Sequence, residues 1–262
     1  GKGQQFPLWS QGNARLEPHG QFTKSLFQPL KYTIIPKLEL FTYPLANVYY
    51  PNFGVKKFWW QTPERKLLIT TKHRLDYPTI ALQKAKSPEW GGFYPNTDQP
   101  GGMVRFQNEL LISKWLKDKS TCKFANYLLT WRLGFKVAFG ADPRKLHTLD
   151  YPVLFTRTYP YTDKWLLYTG LDLDAHITRS LDFAVDAEFY SAGATMDYFS
   201  VEHKGLVLYH LRDNWKIYGG YKMVYGTYPF CPKFSVFPIL DVIFHFNLPK
   251  GDELKLFDKK IF

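Results

Sequence analysis

The sequence contains no long apolar run, and this absence restricts how the chain could meet a membrane. A helix that spans a bilayer needs about 20 consecutive apolar residues. The apolar stretches here are short fragments, such as residues 127–129. Helical membrane spans are therefore excluded. Cysteine is also scarce, because only Cys122 and Cys231 occur, and they match no metal or redox motif.

Acidic residues are fewer than basic ones, 23 against 34, which gives a net charge of +11. The basic residues are scattered, and no recognition helix or RNA-binding motif accompanies them, so we predict no nucleic-acid partner. Aromatic residues, by contrast, make up 18% of the chain. Tyr and Trp favour places with one apolar and one wet side, such as membrane interfaces.

Strict alternation of apolar and polar residues is the most informative signal. Residues 125–139 form its longest stretch, and the second face of that stretch carries Arg132 and Lys136. The first face is continuously apolar and consists of Ala125, Tyr127, Leu129, Trp131, Leu133, Phe135, Val137 and Phe139. A period of two predicts a β-strand between two different environments. The stretch is long enough to cross a bilayer as a tilted strand, which takes about 9–11 residues.

The same alternation recurs along the chain and predicts about ten strands, with eight or twelve left open. Short turns at 117–121, 178–180 and 212–214 alternate with longer links, the longest at 79–102 and 140–164. The predicted strands are 37–47, 53–60, 66–78, 103–116, 122–139, 164–177, 181–191, 196–211, 215–226 and 234–248. Pro44 and Pro51 interrupt the first two, and proline belongs at strand ends or edges.

Over residues 37–248 the chain resembles the bacterial outer-membrane β-barrel class, and Phe244 and Phe246 are similar to its alternating aromatic signal in the last strand. The resemblance implies an all-β, transmembrane, antiparallel up-and-down barrel in the bacterial outer membrane, with short periplasmic turns and longer extracellular loops. It implies outer-membrane lipid and other envelope proteins as partners. Residues 1–35 would be an irregular periplasmic segment at the barrel mouth or in the lumen, 36–248 the barrel, and 249–262 a periplasmic tail. A soluble barrel with its apolar faces inward is the alternative.

Polar residues on the second face of the strands predict a charged cluster in the lumen. The cluster consists of Asp172, Asp174, His176, Asp182, Asp186, Glu188, Arg105, Arg132 and Lys136. Buried charges must be paired, so we interpret the cluster as an internal salt-bridge network that also includes Lys216 and Lys222. A cation site made by the carboxylates and the imidazole is the alternative. We predict no cofactor and no metal.

Candidate catalytic groups do not assemble in the sequence. Ser200 and Glu202 are close to His203, but alternation sends the imidazole to the opposite face, so no catalytic residue is predicted. Cys122 and Cys231 fall at opposite ends of the predicted barrel, too far apart for a disulfide. The long loops offer aromatic residues for contact with other molecules, namely Trp90, Phe93, Tyr94, Tyr159 and Tyr161.

Four functions are compatible with this pattern. We expect a non-enzymatic barrel that is a structural or docking subunit of an envelope complex. The alternatives are a narrow pore or transporter for small polar solutes, an outer-membrane enzyme acting on lipid or peptide, and a soluble β-barrel that binds an apolar ligand.

Overall fold

The computed structural model of the chain shows a closed antiparallel barrel. It describes residues 12–25, 27–62, 67–84, 101–117, 126–140, 164–178, 180–192, 198–212, 214–227 and 232–246. Within these residues twelve strands pair in sequence order, and the first pairs with the last. The strands are β1 (Phe22–Ser25), β2 (Leu30–Ile35), β3 (Leu38–Thr42), β4 (Asn52–Gln61), β5 (Leu67–Asp76), β6 (Val104–Lys117), β7 (Asn126–Phe139), β8 (Trp165–Thr178), β9 (Leu181–Ala192), β10 (Tyr198–Arg212), β11 (Trp215–Thr227) and β12 (Pro232–Phe246). The all-β up-and-down barrel is confirmed.

Two short helices lie in the connections, α1 (Pro44–Asn47) between β3 and β4 and α2 (Thr79–Lys84) between β5 and β6. In the described part of the chain, neither helix has the length and apolar character needed to cross a membrane.

The count of ten strands is corrected to twelve. The two additional strands, β1 and β2, have four and six residues and lie within residues 1–35, which were predicted to be irregular. Segments this short show too few alternating positions for a period to be recognised. The first predicted strand, 37–47, ends at Thr42, because Pro44 begins α1. The barrel therefore begins at Phe22 and not at residue 36.

The apolar faces of the strands point outward and the polar faces point into the lumen. On β7, Leu133 and Phe135 are exposed on the outer face, whereas Arg132 and Lys136 point inward. This orientation is the reverse of the soluble-barrel alternative, in which apolar side chains fill the interior.

Aromatic side chains border the apolar outer surface at both ends of the barrel. At one end, the ring centroids of Phe106 and Phe139 are 5.8 Å apart. At the other end, Trp215 packs edge-on against Phe244 with centroids 4.4 Å apart. Rings at both margins of an apolar band are typical of barrels that span a membrane.

The two ends of the barrel differ in their connections. The end we call the short-turn end has its links at 36–37, 62–66, 118–125, 179–180 and 213–214. The end we call the long-loop end has them at 26–29, 43–51, 77–103, 140–164, 193–197 and 228–231. Because β7 pairs directly with β8, the long link at 140–164 inserts no strand between them.

Candidate functional site in the barrel lumen

The acidic part of the predicted cluster lies on β8 and β9, which pair along their length. Asp172 lies opposite Asp186, and His176 lies opposite Asp182. Since alternate residues of a strand share one face, all six predicted side chains of these two strands point into the lumen, where they are buried.

Arg132 of β7 binds two of these acids at once. Its Nη2 donates to both carboxylate oxygens of Asp172 at 2.6 Å, and its Nη1 forms an ion pair with Glu188. A planar guanidinium can hold two carboxylates in fixed positions, which a lysine cannot do. Arg132 therefore joins β7, β8 and β9 across the lumen wall.

Neighbouring strands supply further ion pairs. Lys222, which the predicted network included, contacts Glu202 at 2.7 Å, and Lys204, which it did not include, contacts Asp186 at 2.5 Å. Lys204 was missed because alternation is weaker in β10. The lumen is thus lined by a network that extends beyond the predicted cluster.

Glu109 of β6 is the centre of a second group. It lies 3.4 Å from Lys72 and accepts hydrogen bonds from Tyr168 at 2.6 Å and Gln107 at 2.7 Å. Lys136 lies over the Tyr168 ring, 5.2 Å from its centroid. Glu109 was not among the residues of the predicted cluster.

Arg105 of β6 is fully buried and pairs with Asp76 of β5, not with the acids of β8 and β9. Arg74 also binds Asp76, at 2.6 Å. The carboxylate of Asp76 is therefore shared by two guanidinium groups. Among the predicted basic residues, Arg105 is separate from the β7–β9 network.

Two imidazoles share one carboxylate near the short-turn end. Asp182 binds His176 through one oxygen and His210 through the other, at 2.6 Å for the second contact. Within the described residues, no group of three or more His, Cys, Asp or Glu side chains is arranged to hold a metal ion.

The N-terminal segment, residues 12–21, crosses the lumen inside the strands. Its backbone is held by side chains of successive strands: Lys56 and Thr70 donate to the carbonyls of Arg15 and Ala14. The Ala14 N–H donates to Ser113 Oγ at 2.8 Å. At the far side of the lumen, Asn13 donates to Asp174 at 3.3 Å.

The same segment is also anchored close to the start of β1. The Glu17 N–H donates to Glu39 at 2.9 Å, and the Glu17 carboxylate lies 4.0 Å from Lys31. Burial alone would raise the pKa of Glu17, but Lys31 and other lumen cations hold that pKa below its usual value. Residues 12–21 thus contact both the β2–β4 wall and the β8 wall. The sequence left open whether this segment lies at the barrel mouth or in the lumen, and it gave no sign of these contacts, since the segment has no period.

The remaining residues considered in the sequence do not form a site in the described part of the structure. Ser200 and Glu202 are buried in the lumen, whereas His203 lies on the outer face, 3.0 Å from the Tyr221 hydroxyl. Cys122, Cys231, the tail 249–262 and the loop contact candidates lie outside the described residues; these candidates are Trp90, Phe93, Tyr94, Tyr159 and Tyr161.

Together these observations define the class of protein. A closed barrel that is apolar outside and charged inside satisfies its backbone within the sheet and presents its apolar surface to lipid. With aromatic margins and unequal ends, the chain has the architecture of an integral outer-membrane β-barrel.

No protein-family model matches the chain, and no curated protein sequence matches it. Solved structures similar in fold include a NanC porin in a rhombohedral crystal form, with 10% identity and a TM-score of 0.48 over 86% of this chain and 97% of that one. A KdgM porin has 9% identity and a TM-score of 0.42, and the match covers 87% of this chain and 97% of the porin. OmpT, an outer membrane protein of Vibrio cholerae folded in vitro, has 7% identity and a TM-score of 0.41, and the match covers 83% of this chain and 63% of OmpT. The class assignment rests on the chain's own geometry.

Proposed function

We propose that this barrel is a narrow outer-membrane pore for small polar solutes, closed by its N-terminal segment, residues 12–21. The short-turn end, where that segment joins the start of β1, faces the periplasm. The observation that carries the proposal is the path of residues 12–21 across a lumen lined with charges.

The number of strands supports a pore. About eight strands leave an interior just filled by side chains, and sixteen to eighteen leave an open channel. Twelve strands leave space beyond the side chains, and residues 12–21 occupy part of that space. Removal of this segment would therefore leave a passage of small diameter.

The charges of the described lumen favour polar solutes without strong selection by sign. The basic residues are Arg15, Lys31, Lys56, Lys72, Arg74, Arg105, Arg132, Lys136, Lys204, Lys216 and Lys222. The acidic residues are Glu17, Glu39, Asp76, Glu109, Asp172, Asp174, Asp182, Asp186, Glu188, Glu202 and Asp241. Each set has eleven members, one from the N-terminal segment and ten from the barrel wall, so the charges balance with or without residues 12–21.

Single-channel recording in planar bilayers tests the proposal. The double variant Thr70→Val, Ser113→Ala removes two side-chain bonds to Ala14, each worth about 1 kcal/mol. A loss of about 2 kcal/mol shifts a two-state equilibrium roughly 30-fold, so we expect the open fraction of the double variant to rise by about that factor.

Thr71→Val is the matched control, because Thr71 lies on the outer face and accepts a bond from Trp59 at 2.7 Å. It should conduct like the unaltered chain. A double variant that remains as closed as the unaltered chain would contradict the pore.

A second candidate is a non-conducting barrel that acts as a structural or docking subunit of an envelope complex. The observation that favours it is the tight filling of the lumen, where Arg105, Leu111 and Thr130 are fully buried. The same recording separates the two candidates, because a structural barrel would stay silent in the double variant.

A further inference from the structure

The barrel wall is much shorter at β1, β2 and β3 than elsewhere. These strands have 4, 6 and 5 residues, whereas the adjacent β12 has 15. β1 pairs with β12 only through Phe22–Ser25, opposite residues 243–246. On this side of β12, no described strand pairs with residues 232–242. We call this gap the lateral notch; its borders are residues 232–242 of β12 and the β1–β2 turn at 27–29.

The β12 side of the notch has few free hydrogen-bond donors. His245 donates its backbone N–H to Asn214, next to β11, so odd-numbered residues of β12 direct their peptide groups to β11 and even-numbered ones to the notch. Pro232 and Pro238 are even-numbered and have no N–H. The Val242 N–H, also even-numbered, donates to the Asp241 side chain at 2.7 Å. Of six peptide groups that face the notch, three offer no donor to a partner.

Asp241 also ends the pairing between β1 and β12. Its carboxylate accepts the Phe27 N–H at 3.0 Å, the Tyr218 hydroxyl at 2.8 Å and the Ser25 hydroxyl. These bonds turn the chain away from β12 directly after Ser25. Proline and side-chain caps on a strand edge disfavour the addition of another strand. The edge is therefore built to remain unpaired.

The border of the notch is apolar and continuous with the outer surface that faces lipid. Leu240 and Phe234 of β12 are 69% and 61% exposed. Behind β12, the lumen has an apolar lining in which Ile239 packs against buried residues. These residues are Ala184, Leu206, Leu208, Tyr218 and Ile243.

We propose that the lateral notch is an opening through which the acyl chain of a membrane lipid enters the barrel wall and contacts the inner side of β12. The occupant is a lipid because the notch continues the lipid-facing surface and because its edge is poor in donors for a partner strand. Phe237 and Ile239 are the lumen-facing residues that the acyl chain would meet. The inference rests on the membrane location of the proposed function.

Photo-crosslinking in vesicles of phosphatidylethanolamine and phosphatidylglycerol tests the notch. Benzoylphenylalanine replaces Phe237, a conservative aromatic change at the lumen-facing position. It replaces Val236 as a lipid-facing control and Val224 as a lumen-facing control on β11, which is paired on both sides. Adducts are identified by mass spectrometry of the intact chain.

We expect lipid adducts at positions 236 and 237, within about threefold of each other, and none at 224. An adduct at 236 without one at 237 would overturn the notch, and a protein adduct at 237 would identify a partner strand or a second copy as the cover. Adducts at all three positions would show general access of lipid to the lumen and would also overturn the notch. No adduct at 236 would overturn the membrane location, and the notch with it.

Discussion

Asp76 shows at the scale of single residues how the lumen keeps its buried charges paired. One carboxylate serves Arg74 and Arg105, and neither Asp76 nor Arg105 reaches solvent. A charge left without its partner in such a place is costly, whereas an intact pair is roughly neutral. The charged side chains that line the lumen therefore also affect the stability of the fold, because each must keep its partner.

Replacement of Asp76 by Asn should reduce the free energy of unfolding more than replacement of Arg105 by Met. The first change leaves two guanidiniums without the carboxylate they share and should cost about 3–5 kcal/mol. The second leaves Asp76 with Arg74 at 2.6 Å and should cost less. Urea titration in lipid vesicles, followed by tryptophan fluorescence, measures both losses. Equal losses would show that Arg74 does not hold the carboxylate.

Gly134 is a residue whose missing side chain positions another group. It lies opposite Tyr168 on β8, and a Cβ built on Gly134 would overlap the tyrosine ring. The ring therefore lies flat over the glycine, where its hydroxyl reaches Glu109 at 2.6 Å.

Gly134→Ala should displace the Tyr168 ring and cost about 1–3 kcal/mol in unfolding free energy, the usual range for overpacking. Gly219→Ala is the matched control, because its added Cβ would meet Leu240 at an ordinary 3.7 Å. The control should change stability by less than about 0.5 kcal/mol. Thermal unfolding of the two variants side by side measures the difference, and similar losses would refute the contact.

At the scale of elements, β7 shows what the sequence could predict. Its fourteen residues alternate strictly, so the strand and the inward direction of Arg132 followed from the pattern. The charged cluster of β8 and β9 was predictable for the same reason. β1 and β2 could not be predicted, because four and six residues are too few to show a period. The pairings of Arg105 with Asp76 and of His210 with Asp182 could not be predicted either, because the pattern within one strand does not specify which residues of the next strand lie beside it.

The outer face of β7 offers a test of membrane depth. Leu133, in the middle of the strand, is 43% exposed, and Leu116, near the short-turn end of β6, is 39% exposed. Leu133→Arg should cost about 2–4 kcal/mol, and Leu116→Arg about 0–1 kcal/mol, because a charge is least tolerated at the bilayer midplane. Refolding titrations into vesicles measure both. Equal small costs would indicate that water surrounds the barrel.

At the scale of the whole molecule, the sheet closes on itself, and the closed form should resist detergent denaturation. We expect the purified protein to require detergent and to change its mobility on a denaturing gel after boiling, since the closed barrel should stay folded in the gel detergent until it is heated. A protein soluble without detergent and without this shift would contradict the membrane architecture. Asp76→Asn should lower the temperature at which the shift occurs.

The seam between Phe22 and Phe246 joins residues near the two ends of the described chain. Contacts of such large separation in sequence form late, because the intervening chain must first be ordered. Residues 12–21 directly precede β1, so the segment inside the lumen and the strand that closes the ring are one continuous stretch. The order of assembly therefore decides whether the lumen is filled: the segment must be in place when the ring closes, or else thread in afterwards through the short-turn end.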